Sequence, residues 1–252
     1  MAFDRWGWHP YVSVTERRKN AAREIEKRRK QGQAMSPVSI EGREIVNTFW
    51  GKAWCRNLEQ YSDYANRLPR GRAYVRNGFV VDLQISPGVI RASVLGSALY
   101  NVEGRVTPVG KGTWESICCD CAGAIDSLVE LLEGRLSKAV MDRVCRQAQG
   151  LFPTPGEIRL TCDCPDSAGM CKHIAAVLYG IGTRLDLQPE LLFRLRDVDE
   201  TELIANAGQA APWGEKAPPV TRLLEGEDLS ELFGLEIAQW EPEKPKRSRK
   251  KR

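Results

Sequence analysis

Apolar residues in "NTFWGKAWCRNLEQYSDYANRL" (47–68) recur at Trp50, Trp54, Leu58 and Tyr61. Steps of four, four and three keep one face of a helix, so the segment is expected to be helical with these residues as a core stripe. The pattern then shortens. "GRAYV" and "FVVDLQIS" alternate around "RNG" and predict a β-meander over 71–95. A two-residue Asn-Gly turn would set arginines on the face of Phe79, Val81, Leu83 and Ile85. A three-residue loop with Gly78 left-handed instead pairs Val75 with Phe79 and Ala73 with Val81, and sets Arg72 opposite Asp82. The second register gives one-sided burial and is preferred. After Pro87-Gly88, pairing Ile85 with Ile90 aligns Leu83 with Ala92 and Val81 with Val94, and a further strand is expected over 99–107.

From Trp114 to Gln149 the period becomes helical again, with Ile125, Leu128, Val129, Leu132 and Leu136 spaced for a buried face. Gly134 interrupts it, and Ser137 is placed to cap a helix over 138–148. "GEIRLTC" (156–162) reads as a strand. "KHIAAVLYGIGTRL" (172–185) reads as a helix with Ile174, Val177, Leu178 and Ile181 on one face. Short helices follow over 189–196 and 199–207, then an Ala/Gly/Pro linker (207–219) and a short helix near 228–234. Residues 16–30 have helix-forming composition but only Ala21, Ala22 and Ile25 as apolar positions, which predicts a solvated or partly disordered basic helix. There is no internal repeat.

The expected class is α+β. The expected divisions are an aromatic and basic extension (1–35), a helix plus β-meander (36–110), a helical segment (111–155), a strand–loop–helix unit (156–185), a C-terminal helical region with linker (186–240) and a basic tail (241–252). Trp6, Trp8 and Tyr11 are expected to dock on their own domain, the alternative being a short partner-binding segment.

Composition adds bounds. Hydrophobic residues make up 42% of 252, enough for a core. No apolar run is long enough to span a membrane. "MAFDRWGWHPYVSV" lacks the layout of a signal peptide, so the eight cysteines are expected to be thiols or metal ligands in a cytoplasmic protein. The net charge of +4 is unevenly spread. The tail "KPKRSRKKR" (244–252) carries +7 and segment 16–30 carries +5, which leaves −8 on the body from 31 to 243. Such a body cannot hold phosphate over its whole surface, so any electrostatic grip on nucleic acid belongs to the ends or to a local patch.

The tripeptide Cys-Asp-Cys occurs twice, at 119–121 and at 162–164. In "CDCPDSAGMCKH" the second copy is followed by Cys171 and His173. Cys162, Cys164, Cys171 and His173 supply three sulfurs and an imidazole, the full tetrahedral complement of one structural zinc ion. Residues two apart on a strand face one side, so Cys162 and Cys164 converge at a strand end. Pro165, Asp166, Ser167 and Gly169 favour a return loop. Cys171 and His173 arrive at a helix start, where free N–H groups favour thiolates. With every position filled by protein, the metal is expected to stabilise the fold rather than catalyse.

The segment "CDCPDSAGMCKHIAAVLYGIG" resembles the SWIM-type zinc finger, whose pattern is C-x-C-x(n)-C-x-H before an apolar helix. The surrounding "FWGKAWCRNLEQYSDYANRLPRGRAYVRNG" and "AGAIDSLVELLEGRLSKAVMDRV" look like bacterial SWIM zinc-finger proteins over about residues 45–185. The resemblance implies zinc ligation by Cys162, Cys164, Cys171 and His173, and a role in binding DNA or protein, in some members beside Swi/Snf-type helicases.

Cys118, Cys119 and Cys121 lie in a helical pattern that puts Cys118 and Cys121 on one face and Cys119 away from it. Buried thiols are the first expectation. A second metal completed by Cys55 or Cys145, or a redox pair, are the alternatives. "RLPRGRAYVR" gathers Arg67, Arg70, Arg72 and Arg76 near Tyr64 and Tyr74, a composition suited to phosphate contact and stacking or, more blandly, to a solvated face. In the tail, Lys246, Arg247, Arg249, Lys250, Lys251 and Arg252 are the further nucleic-acid candidates. No nucleophile elbow or phosphate loop occurs, and His173 is committed as a ligand, so an enzyme is not expected and no small-molecule substrate is foreseen. The expected function is a zinc-stabilised interaction module contacting nucleic acid, DNA favoured. The competing expectation is an adaptor for a Swi/Snf-type helicase ATPase.

Overall fold

The computed structural model describes residues 12–60, 67–125, 127–166 and 168–205. The expectations for Trp6, Trp8, Tyr11, Tyr61 and Tyr64, the linker, the helix near 228–234 and the basic tail lie outside these residues. In chain order the described elements are α1 (Val14–Lys30), α2 (Phe49–Glu59), α3 (Leu68–Arg76), β1 (Val80–Ser86), β2 (Val89–Leu95), β3 (Leu99–Val106), α4 (Lys111–Cys121), α5 (Leu128–Glu133), α6 (Lys138–Val144), a 3-10 turn (Pro155–Glu157), β4 (Ile158–Cys162), α7 (Lys172–Leu187), α8 (Glu190–Leu195) and α9 (Glu202–Ala205). The fold is α+β.

The four strands form one antiparallel sheet in the order β1-β2-β3-β4. Ile85 pairs with Ile90 and Leu83 with Ala92, as the alternation predicts. Val94, however, pairs with Val80 rather than with the expected Val81, because a bulge between Val80 and Asp82 takes up one residue. The bulge lets Val80 join the main core while Val81 turns to the other face, against Ala21 and Phe79.

α7 is the centre of the fold. It lies along the inward face of the sheet and against α2 and α3, and it is buried on nearly every side from His173 to Thr183. Its four-position stripe is therefore only part of what it hides. Trp50, Trp54 and Leu58 of α2 are fully buried, as a core stripe should be. The Trp54 indole donates to the Leu178 carbonyl and the Trp50 indole to that of Leu131. Trp50 also meets Phe193 edge-on, and Phe193 meets Trp114, joining α2, α8 and α4 in one core.

Three expectations are corrected. Residues 71–76 are not a strand. They belong to α3, opened by Leu68-Pro69, and Arg72 pairs with Glu59 and Tyr179 rather than with Asp82. Leu68, Gly71 and Val75 form a helical stripe. Gly71 is so close to α7 that a Cβ there would lie 2.5 Å from the Ala175 methyl. Gly78 is left-handed as expected, at φ +70, but it follows the end of a helix rather than closing a hairpin. In the middle segment Ile125 and Leu136 are buried, but Leu131 is the buried residue of α5 and Val129 is 59% exposed. α4 stops at Cys121, and α5 restarts under the Ser127 cap with a new phase. Ser137 caps α6 as expected, through a bond from the Val140 N–H. Finally, α1 is a docked helix. Ala21 and Ile25 pack on Phe79, Val81, Leu95 and Leu99, and the Arg17 guanidinium lies 5.1 Å from the centre of the Phe79 ring.

The sheet thus has two unlike faces. Inward are α7 and the main core. Outward are α1 at one end and exposed polar residues at the other. Its edges differ too. Residues 36–38 line β1, with the Val38 N–H bonded to Val80 and the Leu83 N–H to Ser36, and Arg184 of α7 holds this segment through Ser36 and Pro37. β4 pairs only with β3 among the described residues. No helix in them is long and apolar enough to cross a membrane.

Candidate metal centre

The extended backbone of β4 ends at Cys162, and Cys164 follows two residues on. Asp163, between them, points the opposite way and clamps to β3. Its carboxylate accepts from the Asn101 N–H (2.9 Å) and side-chain amide (3.0 Å), and its own N–H donates to the Asn101 carbonyl. Alternation along an extended chain therefore places two sulfurs on one side and their anchor on the other. Cys171 is the N-cap of α7, its sulfur accepting from the Ile174 N–H at 3.4 Å, and His173 sits in the first turn.

The ligand atoms of Cys162, Cys164, Cys171 and His173 all lie within 4.8 Å of one another. His173 Nδ1 is 3.8 Å from Cys162 Sγ and 3.9 Å from Cys171 Sγ. A tetrahedral zinc with bonds of about 2.3 Å to sulfur sets neighbouring ligands about 3.8 Å apart. The donor set, its spacing and its partial burial fit one zinc ion, and Nδ1 is the ligand nitrogen. The chain fills all four positions, so bound zinc would fasten the end of β4 to the start of α7 and leave no place for a reacting water.

Burial raises the Cys162 thiol well above the ordinary range and raises that of Cys171, while burial, assisted by Lys172, lowers His173 to about 4. Without metal, both thiols are protonated at neutral pH and the imidazole is neutral. The nitrogen is ready to ligate; the thiols must first lose protons.

Packing fixes the imidazole. It stacks on Tyr100 at 4.5 Å and meets Tyr74 edge-on at 5.5 Å. Nε2 is buried without a hydrogen-bond partner among the described residues, and a Cβ on Gly96 would lie 2.8 Å from it. The ring is thus oriented by two tyrosines and a glycine instead of by a hydrogen bond from behind. The Lys172 ammonium lies 5.5 Å from the centre of the Tyr74 ring. Asn101, Tyr100 and Gly96 carry no motif. Their β2–β3 hairpin becomes part of the site only when β4 pairs with β3.

The four arginines of "RLPRGRAYVR" have different placements. Arg67 bonds Asp166 in the knuckle loop at 3.1 Å, which ties α3 to the metal site. Arg72 is held by Glu59 and by the Tyr179 hydroxyl, which itself donates to Glu59. Arg70 and Arg76 are exposed. Lys246, Arg247, Arg249, Lys250, Lys251 and Arg252 lie outside the described residues.

The other cysteine cluster assembles no metal site among the described residues. Cys118 and Cys121 are buried and Cys119 is exposed, the helical disposition expected. Between the last two, Asp120 reaches Arg143, which also donates to the Gln149 carbonyl and the Ser116 hydroxyl.

A family model described as the SWIM zinc finger matches residues 149–180. The chain is also 32% identical over 188 residues to the uncharacterized protein Rv2102 of Mycobacterium tuberculosis, an alignment covering 71% of this chain and 68% of the relative. No solved structure matches.

Proposed function

The chain belongs to the SWIM zinc finger family and is a zinc-stabilised interaction module, and we propose that it contacts nucleic acid, DNA in preference to RNA, and catalyses no reaction. The observation that carries this reading is the meeting of two basic segments far apart in sequence. Arg18 of α1 donates twice to the Asn77 side chain at the end of α3, at 2.7 and 3.1 Å. A helix of net charge +5 thus lies beside exposed Arg76. A local basic patch on an acidic body is the arrangement that lets a chain of modest net charge hold phosphate. The preference for DNA rests on the family's association with Swi/Snf-type helicases. The absence of catalysis rests on His173, whose ring nitrogen faces sulfurs, and on a metal position with no open site.

A second reading, an adaptor for a Swi/Snf-type helicase ATPase without direct nucleic-acid contact, draws support from a concavity of about 540 Å3. Glu190, Asp197, Asp199, Glu200 and Glu202 line it with Arg194, a surface that repels phosphate and suits a cationic partner. A salt titration of labelled duplex DNA against the full chain and a 1–243 truncation separates the two. If all seven tail charges met phosphates, they would contribute a slope of about −6 in log K against log salt. If neither protein binds at low salt, the adaptor reading replaces this one, and co-purification of an ATPase becomes the decisive experiment.

A further inference from the structure

The outward face of the sheet carries three exposed arginines on adjacent strands: Arg91 on β2, Arg105 on β3 and Arg159 on β4. Arg105 and Arg159 are direct cross-strand partners. Arg91 is opposite Glu103, one diagonal step from Arg105, which faces Val89. Together with Val89, Glu103, Gly104 and Thr161 they line a shallow concavity of about 230 Å3. Like charges directly opposed on a sheet destabilise it. Elsewhere on this face polar neighbours satisfy one another, as Ser93 does with Asn101 and Asn101 with Asp163. None of the three arginines takes part in an ion pair or side-chain hydrogen bond among the described residues, and the Glu103 carboxylate, the single acid among them, takes none of them as a partner.

We infer that this arginine row is a phosphate-contacting patch for the backbone of duplex nucleic acid, an assignment that rests on the nucleic-acid reading above. Guanidinium groups clamp phosphates bidentately. Strands about 4.8 Å apart hold the three groups across roughly 10 Å, enough to bridge neighbouring phosphates. Among the described residues no aromatic ring lines the concavity, so it suits backbone contact rather than stacking of bases. The net charge of +5 on α1 adds to the same outward face. The zinc ligands, on the inward side, brace β4 and so hold Arg159 opposite Arg105.

The test uses the full zinc-loaded chain and a fluorescent DNA duplex of arbitrary sequence, about 20 base pairs long, titrated with salt. Replacing Arg91, Arg105 and Arg159 together by Gln is expected to lower the salt slope by about 2.7 and to weaken binding tenfold or more near 0.1 M salt. Arg105→Glu is expected to raise thermal stability, by pairing with Arg159, while weakening binding. Opposite signs in the two readouts separate a contact residue from a structural one. If wild type binds and both variants bind equally well with the same slope, the row is not the patch, and the nucleic-acid reading stands on other contacts. If wild type does not bind at low salt, both fall. If polyglutamate competes with the duplex as well as DNA does, charge for charge, the occupant is an acidic polypeptide and the inference is overturned.

Discussion

Cys119-Asp120-Cys121 and Cys162-Asp163-Cys164 are the same tripeptide with opposite outcomes. On α4, residues two apart turn through about 200°, so Cys121 is buried while Cys119 faces solvent. At the end of β4 the same two-residue step returns to the same side, and both sulfurs meet His173 and Cys171. The aspartates diverge likewise. Asp120 reaches across to Arg143, whereas Asp163 locks its strand to Asn101. The ligating power of the tripeptide is a property of the backbone that carries it.

The largest expected effect comes from removing the metal corner. Cys164→Ser or His173→Ala should abolish stoichiometric zinc in metal analysis and remove much of a binding energy of order 10 kcal/mol, seen as a collapse of the thermal transition. Retention of one zinc by the double variant would erase the distinction between the copies. Next is pH. Zinc must displace protons from Cys162 and Cys171, whose thiols lie above their ordinary range, so apparent affinity should rise with pH. Each thiol proton that zinc displaces gives up to about tenfold per pH unit near neutrality, measurable with a competing chelator. Smaller again is Arg143→Ala, which removes a buried guanidinium with its bonds to the Gln149 carbonyl and the Ser116 hydroxyl, opens a void, and should cost about 1–3 kcal/mol in denaturant unfolding without altering zinc content. Last, Cys121→Ser buries a hydroxyl and should cost about 1–2 kcal/mol, whereas exposed Cys119→Ser should stay within about 0.5 kcal/mol. Zinc loss in either would show that the first copy ligates after all.

The contrast also locates what was legible in sequence. The four ligands were, because their convergence depends on one strand end, one loop and one helix start within twelve residues. Helix α3 was not. "GRAYV" alternates well enough for a strand, and what makes it helical is the seat its small face finds on Ala175, about a hundred residues away. The bulge at Val81 answers to Ala21 and Ile25 of α1, another distant demand. The phase slip at Leu131 follows from a helix break that periodicity runs straight through. The arginine row needed β4 beside β3, since no local pattern relates Arg105 to Arg159.

All four ligands sit at the end of a strand or the start of a helix, and the described residues of the loop between Cys164 and Cys171 contribute none. Gly169 is exposed, with open space where a side chain would project. The hoop is therefore a natural graft point. Lengthening it severalfold there should add only about 1 kcal/mol of closure entropy, because the ion, once bound, would cinch a foreign peptide at both ends like the clasp of a bracelet.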